Sequence, residues 1–402
     1  MIRRPPRSTP SNSSAASDVY KRQPKGSDKR YFFKLKINIR RNEPVILEKK
    51  EYKSSKDGTK VSLVIEGDWG RARRYVLEYI TRTHVICPYA SFTVRYPENS
   101  KTKYLRLPRV TDKLPPAPQE VKPHPYGVDV ETLKAMIREE KAGTTVLNFL
   151  TKRFSGVGEK LAKQFLMQAN IKPRRSVKGL KDNEIVKLAH EMKKFKWRSP
   201  PSTALSPVGE ENIVAGLEAQ FKPEFAVAVT RKPSAYSGHP FVVEVGLAYG
   251  GKIEPREKPL VLRFANKIPL LFDEGVDVSY KIVSELDWKR YNIEFPAPLV
   301  VLTHVCSTKM PFHTLGKEAL ADVPEVEREL KLALQEAGRK LQRYISRKMR
   351  EESLMIRRVE ISKYFQTIAS SVSSVLNLDP NRVVQSLNMI LERKLRGGKH
   401  GS

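Results

Sequence analysis

Ser307-Thr308-Lys309 stands at the end of an apolar, β-branched run, Val300-Val301-Leu302-Thr303-His304-Val305, and Pro311 follows shortly after. A run of this kind is the pattern of a strand buried on both faces, and a nearby proline keeps it from continuing. A lysine at the mouth of a buried strand is a compact charge with three donors on a fixed platform. That is the chemistry that recognises a terminal phosphate. A solvated loop lysine is the plainer alternative. A second candidate lies in Ser155-Gly156-Val157-Gly158, which joins two helical patterns. A Gly-x-Gly turn of this kind can set backbone N–H groups and a helix N-terminus against a phosphate, with Lys152, Arg153, Lys160 and Lys163 as counter-charge. The competing reading is a packing module whose lysines face water. His124 lies between two prolines with no His or Cys beside it and reads as structural. Gly250-Gly251 has no helix behind it and reads as a hairpin turn rather than a phosphate cradle.

The elements that must position these residues follow from periodicity. Tyr31 to Ile39 alternates as a strand, and Val61 to Ile65 follows Gly58-Thr59. Residues 71–83 are helical, with Ala72, Val76, Tyr79 and Ile80 on one stripe, and 90–94 is a strand. Pro115, Pro116 and Pro118 make a stiff linker. Residues 129–198 carry helical stripes. After a second Pro-rich stretch come a helix over 208–219, strands at 226–229, 241–249, 260–271 and 300–305, and a helix over 278–286. Strands alternating with helices predict an α/β layer sandwich. From Asp322 to about Arg350 one long helix is expected, with Val326, Leu330, Ala333, Ala337 and Leu341 on one face and Arg343, Arg347 and Lys348 on the other.

Composition narrows the partner. The chain has 402 residues with 74 Lys+Arg against 44 Asp+Glu, a formal net charge of +30. Such an excess favours a polyanion, nucleic acid first and an anionic membrane surface second. No apolar run nears the roughly 20 residues of a membrane-spanning helix. Cys87 and Cys306 have no metal-ligand spacing and read as buried thiols of a reducing compartment.

Several stretches together resemble the B-subunit family of DNA topoisomerase VI: Glu120 to Gly127, Gly238-His-Pro-Phe241, Phe264 to Leu271, Asp287-Trp-Lys-Arg-Tyr291, and Ser307-Thr308-Lys309. The resemblance spans about Arg30 to Tyr344. It implies an α+β multidomain fold: residues 30–112 as the C-terminal part of a GHKL ATPase domain, 113–128 as linker and 129–200 as a helix-two-turns-helix domain. Residues 201–350 would be a transducer domain of ribosomal-protein-like fold ending in the long helix, 351–396 a helical docking segment, and 397–402 a disordered tail. Residues 1–29 are set aside as a non-native or disordered leader, since 1–23 resembles translated library adapter. The segments that hold adenine, magnesium and the phosphates in that family have no counterpart in this sequence, so an N-terminally truncated chain is expected.

The resemblance further implies an ATP-dependent DNA topoisomerase (an isomerase) of two A and two B subunits, type IIB and archaeal-type, relaxing and decatenating DNA by double-strand passage. The implied cofactors are ATP and Mg2+. The implied partners are the A subunit of topoisomerase VI, double-stranded DNA and a second B subunit. The place of work would be the cytoplasm, at the nucleoid. Lys309 would contact the γ-phosphate; Gly58 and Thr59 match a nucleotide-domain motif; Lys267, beside Asn266, is the second nucleotide-facing lysine. Lys152, Arg153, Lys160, Lys163, Arg343, Arg347 and Lys348 are the DNA-facing candidates, and no residue here is expected to cleave DNA. Two readings compete: a ribosomal-type RNA binder, and a B-like scaffold without ATPase activity.

Overall fold

The computed structural model describes residues 17–23, 29–38, 43–53, 58–99, 101–314, 316–376 and 379–397. The chain forms two compact units, Met1–Leu77 and Glu78–Ser402. The first holds an antiparallel sheet of β1 (Ser17–Gln23), β2 (Lys29–Asn38), β3 (Glu43–Lys53) and β4 (Gly58–Ser62), in the order β3-β2-β1-β4. Tyr20 faces Phe33 on one side and Val61 on the other. Within the expected non-native or disordered leader, Ser17–Gln23 is not disordered, since it ladders with β2 on one edge and β4 on the other. Residues 1–16 and 24–28 lie outside the described residues. β3 escaped the sequence reading because its Glu48-Lys49-Lys50-Glu51 run hides the alternation.

Helix α1 (Trp69–Ile86) is followed by a hairpin of β5 (Phe92–Glu98) and β6 (Lys101–Leu107). Four helices then share one core: α2 (Val130–Arg138), α3 (Val146–Arg153), α4 (Glu159–Gln168) and α5 (Asp182–Lys194). Asp129 caps α2 by accepting the Thr132 N–H at 2.7 Å, and Thr145 caps α3 through Asn148 at 3.2 Å. Trp197 closes the module, its indole N–H donating to the Met192 carbonyl at 2.7 Å.

The remaining strands make one mixed sheet. After α6 (Glu210–Phe221) come β7 (Phe225–Thr230), β8 (Ser234–Tyr236), β9 (His239–Tyr249), β10 (Leu260–Ala265), β11 (Ile268–Pro269), α7 (Val278–Glu285), β12 (Leu299–Ser307), α8 (Pro324–Leu376) and α9 (Pro380–Gly397). The order is β11-β10-β12-β9-β7, with β8 also paired to β9. β12 is central: parallel to β10, antiparallel to β9, and buried at every position. Its period of two divides it between two cores. Val301 and Val305 face the core of α7 and α8, while Val300 and Leu302 face that of α6 and the last turn of α1. Burial on both faces explains why the run is apolar throughout instead of alternating.

Three further expectations change. The run 260–271 is no single strand, since Asn266 and Lys267 both take positive φ and turn β10 back into β11. Asparagine tolerates this left-handed backbone. The Gly250-Gly251 pair also turns, at φ of +73° and +65°, but β9 and β10 are not neighbours, so it is not a hairpin. The long helix does not stop near Arg350. After Gly338 the sequence holds no glycine or proline before Pro380, and α8 continues to Leu376. Residues 398–402 of the expected tail lie outside the described residues.

α6 approaches the sheet on one side and the last turn of α1 on another closely enough to require a glycine at each contact. A Cβ on Gly246 would fall 2.6 Å from Ile213 Cγ2, and one on Gly216 would overlap the Val85 carbonyl. Because the second clash is with backbone, Gly216→Ala is expected to cost about 1–3 kcal/mol, read as a lower midpoint in chemical denaturation.

Candidate functional site

Ser307 ends β12 and is held from two sides. The Asn266 side chain accepts the Ser307 N–H at 2.9 Å and donates to the Ser307 carbonyl at 3.0 Å, closing a two-bond clamp from the β10–β11 turn. The Ser307 hydroxyl donates to the Pro240 carbonyl at 3.0 Å and accepts the Lys309 N–H at 3.2 Å. Further on, buried Asp277 accepts the Leu320 N–H at 2.8 Å while its other oxygen caps α7. Asp277 in turn faces the fully buried Arg263 guanidinium at 3.4 Å. The loop carrying Lys309 is thus tethered at both ends.

Lys309 itself is exposed and forms no ion pair among the described residues. It lines an open cleft of about 550 Å3 with Tyr126, Asp129, Lys193, His239 and Glu325. The wall is set by a hairpin turn, Ser237-Gly238 between β8 and β9, with φ of +47° and +78°. Gly238 presses against the turn at Tyr126 and Gly127 so closely that any Cβ would overlap backbone. His239 then approaches the Thr308 hydroxyl at 3.3 Å. Burial, helped by the Lys309 and His124 charges, pushes the His239 pKa below the ordinary histidine value. His124 is buried and structural, its Nε2 at 2.8 Å from the Arg198 carbonyl and its Nδ1 accepting the Tyr126 N–H.

Sequence reasoning missed the group beneath this loop. Glu244 on β9 and His304 on β12 are directly opposed and have no exposed side-chain surface. Glu244 accepts from His304 Nδ1 at 2.8 Å, from the Val208 and Gly209 N–H groups at 2.7 Å each, and from the Thr230 hydroxyl at 2.9 Å. Burial alone raises its pKa, but these donors outweigh burial and hold it below the usual carboxylate value. His304 Nε2 accepts the Lys267 N–H at 3.0 Å, so its partners place the ring proton on Nδ1. The signal was present: a Glu within Phe241–Leu247 and a His within Val300–Val305 are polar residues in strands with no solvent face, and such residues must find partners.

The other candidates are dispersed. Asn266 and Lys267 do not line the cleft, and the Lys267 ammonium donates to the Ser206 hydroxyl at 2.7 Å. Gly58 and Thr59 open β4 in the first unit, opposite Gln23 and Arg22. At the Gly-x-Gly turn, Gly158 starts α4 without a side-chain cap. Arg153 is paired with Glu140 and Glu139, and Lys163 with Glu159 at 2.6 Å, whereas exposed Lys152 and Lys160 have no ion pair among the described residues. On α8, Lys348 pairs with Glu224 at 2.7 Å and Arg347 with Glu351 at 3.6 Å, while exposed Arg343 carries no such pair among the described residues. Both thiols are free, Cys306 buried and Cys87 half-buried, and burial pushes both pKa values up.

The family model described as "Topoisomerase VI B subunit, transducer" matches residues 200–357. Over 92% of this chain, 45% of residues are identical to the B subunit of type 2 DNA topoisomerase 6 from Pyrobaculum aerophilum, with 70% of that protein covered. The chain belongs to the topoisomerase VI B-subunit family. The corresponding protein of Metallosphaera sedula is 49% identical over 87% of this chain and 66% of its own length. The chain thus spans about two thirds of these relatives. The gyrase B subunit of Myxococcus xanthus is similar only at 13% identity and a TM-score of 0.31, covering 82% of this chain and 67% of its own, too loose to bear on the fold. Within the B-subunit family the ribosomal-type reading falls away, and the mixed α+β architecture is that of a family member.

Proximity of His239 to Lys309 has a measurable sign. Removing the lysine charge in Lys309→Met should raise the His239 pKa towards the ordinary histidine value, read by NMR titration of the ring. An unchanged value would place the ammonium away from the cleft wall.

Proposed function

We propose that this chain is the nucleotide-sensing and motion-transmitting part of the B subunit of an ATP-dependent DNA topoisomerase. The observation that carries the reading is Lys309: an exposed ammonium without an ion pair among the described residues, on a loop tethered at Ser307 and Leu320, at the end of the central strand. In a chain where many surface cations are paired, a free ammonium on a rigid mount is poised for an anion from outside the unit. In this reading Lys309 donates to the terminal phosphate of ATP, and that contact is made or lost with the phosphate's state. Gly58 and Thr59 belong to the nucleotide domain of the same protein. Among the described residues no group of three His, Cys, Asp or Glu could hold a metal ion. No helix among them is long and apolar enough to cross a membrane.

The rest of the chain conveys the signal. α8 packs its first turns into the core through Val326, Leu330, Ala333, Leu334, Ala337, Leu341 and Ile345. Beyond these it exposes Met349, Leu354, Met355, Ile356 and Val359, an apolar stretch suited to the DNA-cleaving A subunit. The curated relatives are named as parts of a type 2 DNA topoisomerase, which supports strand passage as the reaction and a dimer formed with a second B subunit. Double-stranded DNA is the polyanion that the net charge of +30 favours, and the nucleoid is then the place of work.

With a protein carrying this sequence at the full length of its relatives, assembled with the A subunit, Lys309→Met should lower DNA-stimulated ATP turnover about a hundredfold. Equal turnover in both proteins would remove Lys309 from the nucleotide site. Binding to DNA should separate the free lysines from the paired ones. Replacing Lys152 and Lys160 together by Ala should flatten the dependence of log affinity on log salt by about 1.8, whereas Lys163→Ala should change it little. An unchanged slope in the double variant would leave α3 and α4 as packing elements.

A further inference from the structure

The buried Glu244–His304 pair closes a ring of polar contacts that joins two pieces of chain distant in sequence. One is the linker Ser206–Gly209, which leads from the helical module into α6. The other is the Asn266–Lys267 turn that clamps the end of β12. Glu244 takes the Val208 and Gly209 N–H groups from the linker and the His304 ring from β12. His304 takes the Lys267 N–H, and the Lys267 ammonium returns to the linker at the Ser206 hydroxyl. Asn266, next in the turn, makes both bonds to Ser307, two residues before Lys309. Every link is 2.7–3.0 Å long.

The backbone at this turn is one that lysine rarely adopts. Lys267 sits at φ +66°, where a side chain costs energy that glycine would not. A non-glycine residue persists in such a conformation when its surroundings over-determine it, and here both its N–H and its ammonium are committed. Sequence packing alone does not ask for this: an apolar pair at positions 244 and 304 would fill the same interior without an ionisable group.

We propose that Glu244 and His304 are positioning residues for Lys309. They make the linker from the helical module and the end of β12 one rigid body, so that the helical module and the Lys309 ammonium shift together. The proposal rests on the reading of Lys309 as the nucleotide sensor, and it names the device by which a displacement at Lys309 reaches the helical module as well as α8.

The test is amide hydrogen exchange on this chain, following segments 206–210 and 305–309, with thermal melting to establish that each variant is folded. Glu244→Gln cannot serve all four donors, and exchange in both segments should rise about tenfold. Asn266→Ala opens only the clamp and should raise exchange at 305–309 alone. His304→Gln can donate to Glu244 and accept from Lys267, and should hold both segments near wild type. If Glu244→Gln does not fold, Ser206→Ala opens the same ring at its outer link and should loosen both segments more mildly. Loosening confined to 206–210 in Glu244→Gln or in Ser206→Ala, with 305–309 unchanged, would overturn the proposal. Loss at both segments in a folded His304→Gln would also overturn it, since the two bonds would then not be what matters. The nucleotide reading is tested separately, by adding a non-hydrolysable ATP analogue to the full-length protein carrying this sequence. If neither segment becomes protected there while the variant pattern stands, the sensor role fails and the coupling survives.

Discussion

A carboxylate without exposed surface must collect donors or give up its charge, and Glu244 collects four. The arrangement of the transducer follows from that requirement. The donors come from the linker before α6, from the end of β7 and from β12, so one side chain fixes the relative placement of three elements. Removing a donor from a buried charged group costs about 1.5–3 kcal/mol, a sizeable share of a domain's marginal stability. The Arg263–Asp277 pair does similar service on the opposite face of the sheet, where it fixes α7 and the return of the loop at Leu320. Between these two polar anchors runs β12, and Lys309 is placed by both.

Much of this was legible in the sequence, for a physical reason in each case. The β12 run read correctly because burial on both faces leaves only apolar, β-branched choices, and α1 and α6 read within a few residues because their stripes follow the helical period. The end of α8 did not read: the helical pattern beyond Arg350 looks like a separate docking segment, yet no helix-breaking residue stands between the two. Asn266-Lys267 looked like the interior of a strand because lysine gives no turn signal; only its contacts to His304 and Ser206 explain how it tolerates its backbone. In the site, residue type singled out Lys309, but not Glu244, His304 or His239. Their meaning lies in pairing across strands, which a linear pattern does not contain.

Charge needs the same distinction between composition and placement. An excess of +30 says that a polyanion is attractive, not which cations are available to it. Arg153, Lys163 and Lys348 already hold carboxylates, while Lys152, Lys160, Arg343 and Lys309 carry no such pair among the described residues. An exposed pair contributes little to stability, yet it lowers the field its cation offers to a newcomer. Selectivity among otherwise similar basic residues thus follows from their neighbours.

The continuity of α8 has a mechanical side. A helix rises 1.5 Å per residue, so the stretch from Ile345 to Leu376 is a rod of roughly 45 Å. Its base is gripped at Leu341 and Ile345 in the sheet core, and α9 packs against it. With no glycine or proline along that length to absorb bending, a tilt at the base of about 5° would carry the tip through roughly 4 Å. Geometry alone thus turns a sub-ångström adjustment beneath the sheet into a displacement as wide as a side chain. A helix divided near Arg350 would have dissipated it at the joint.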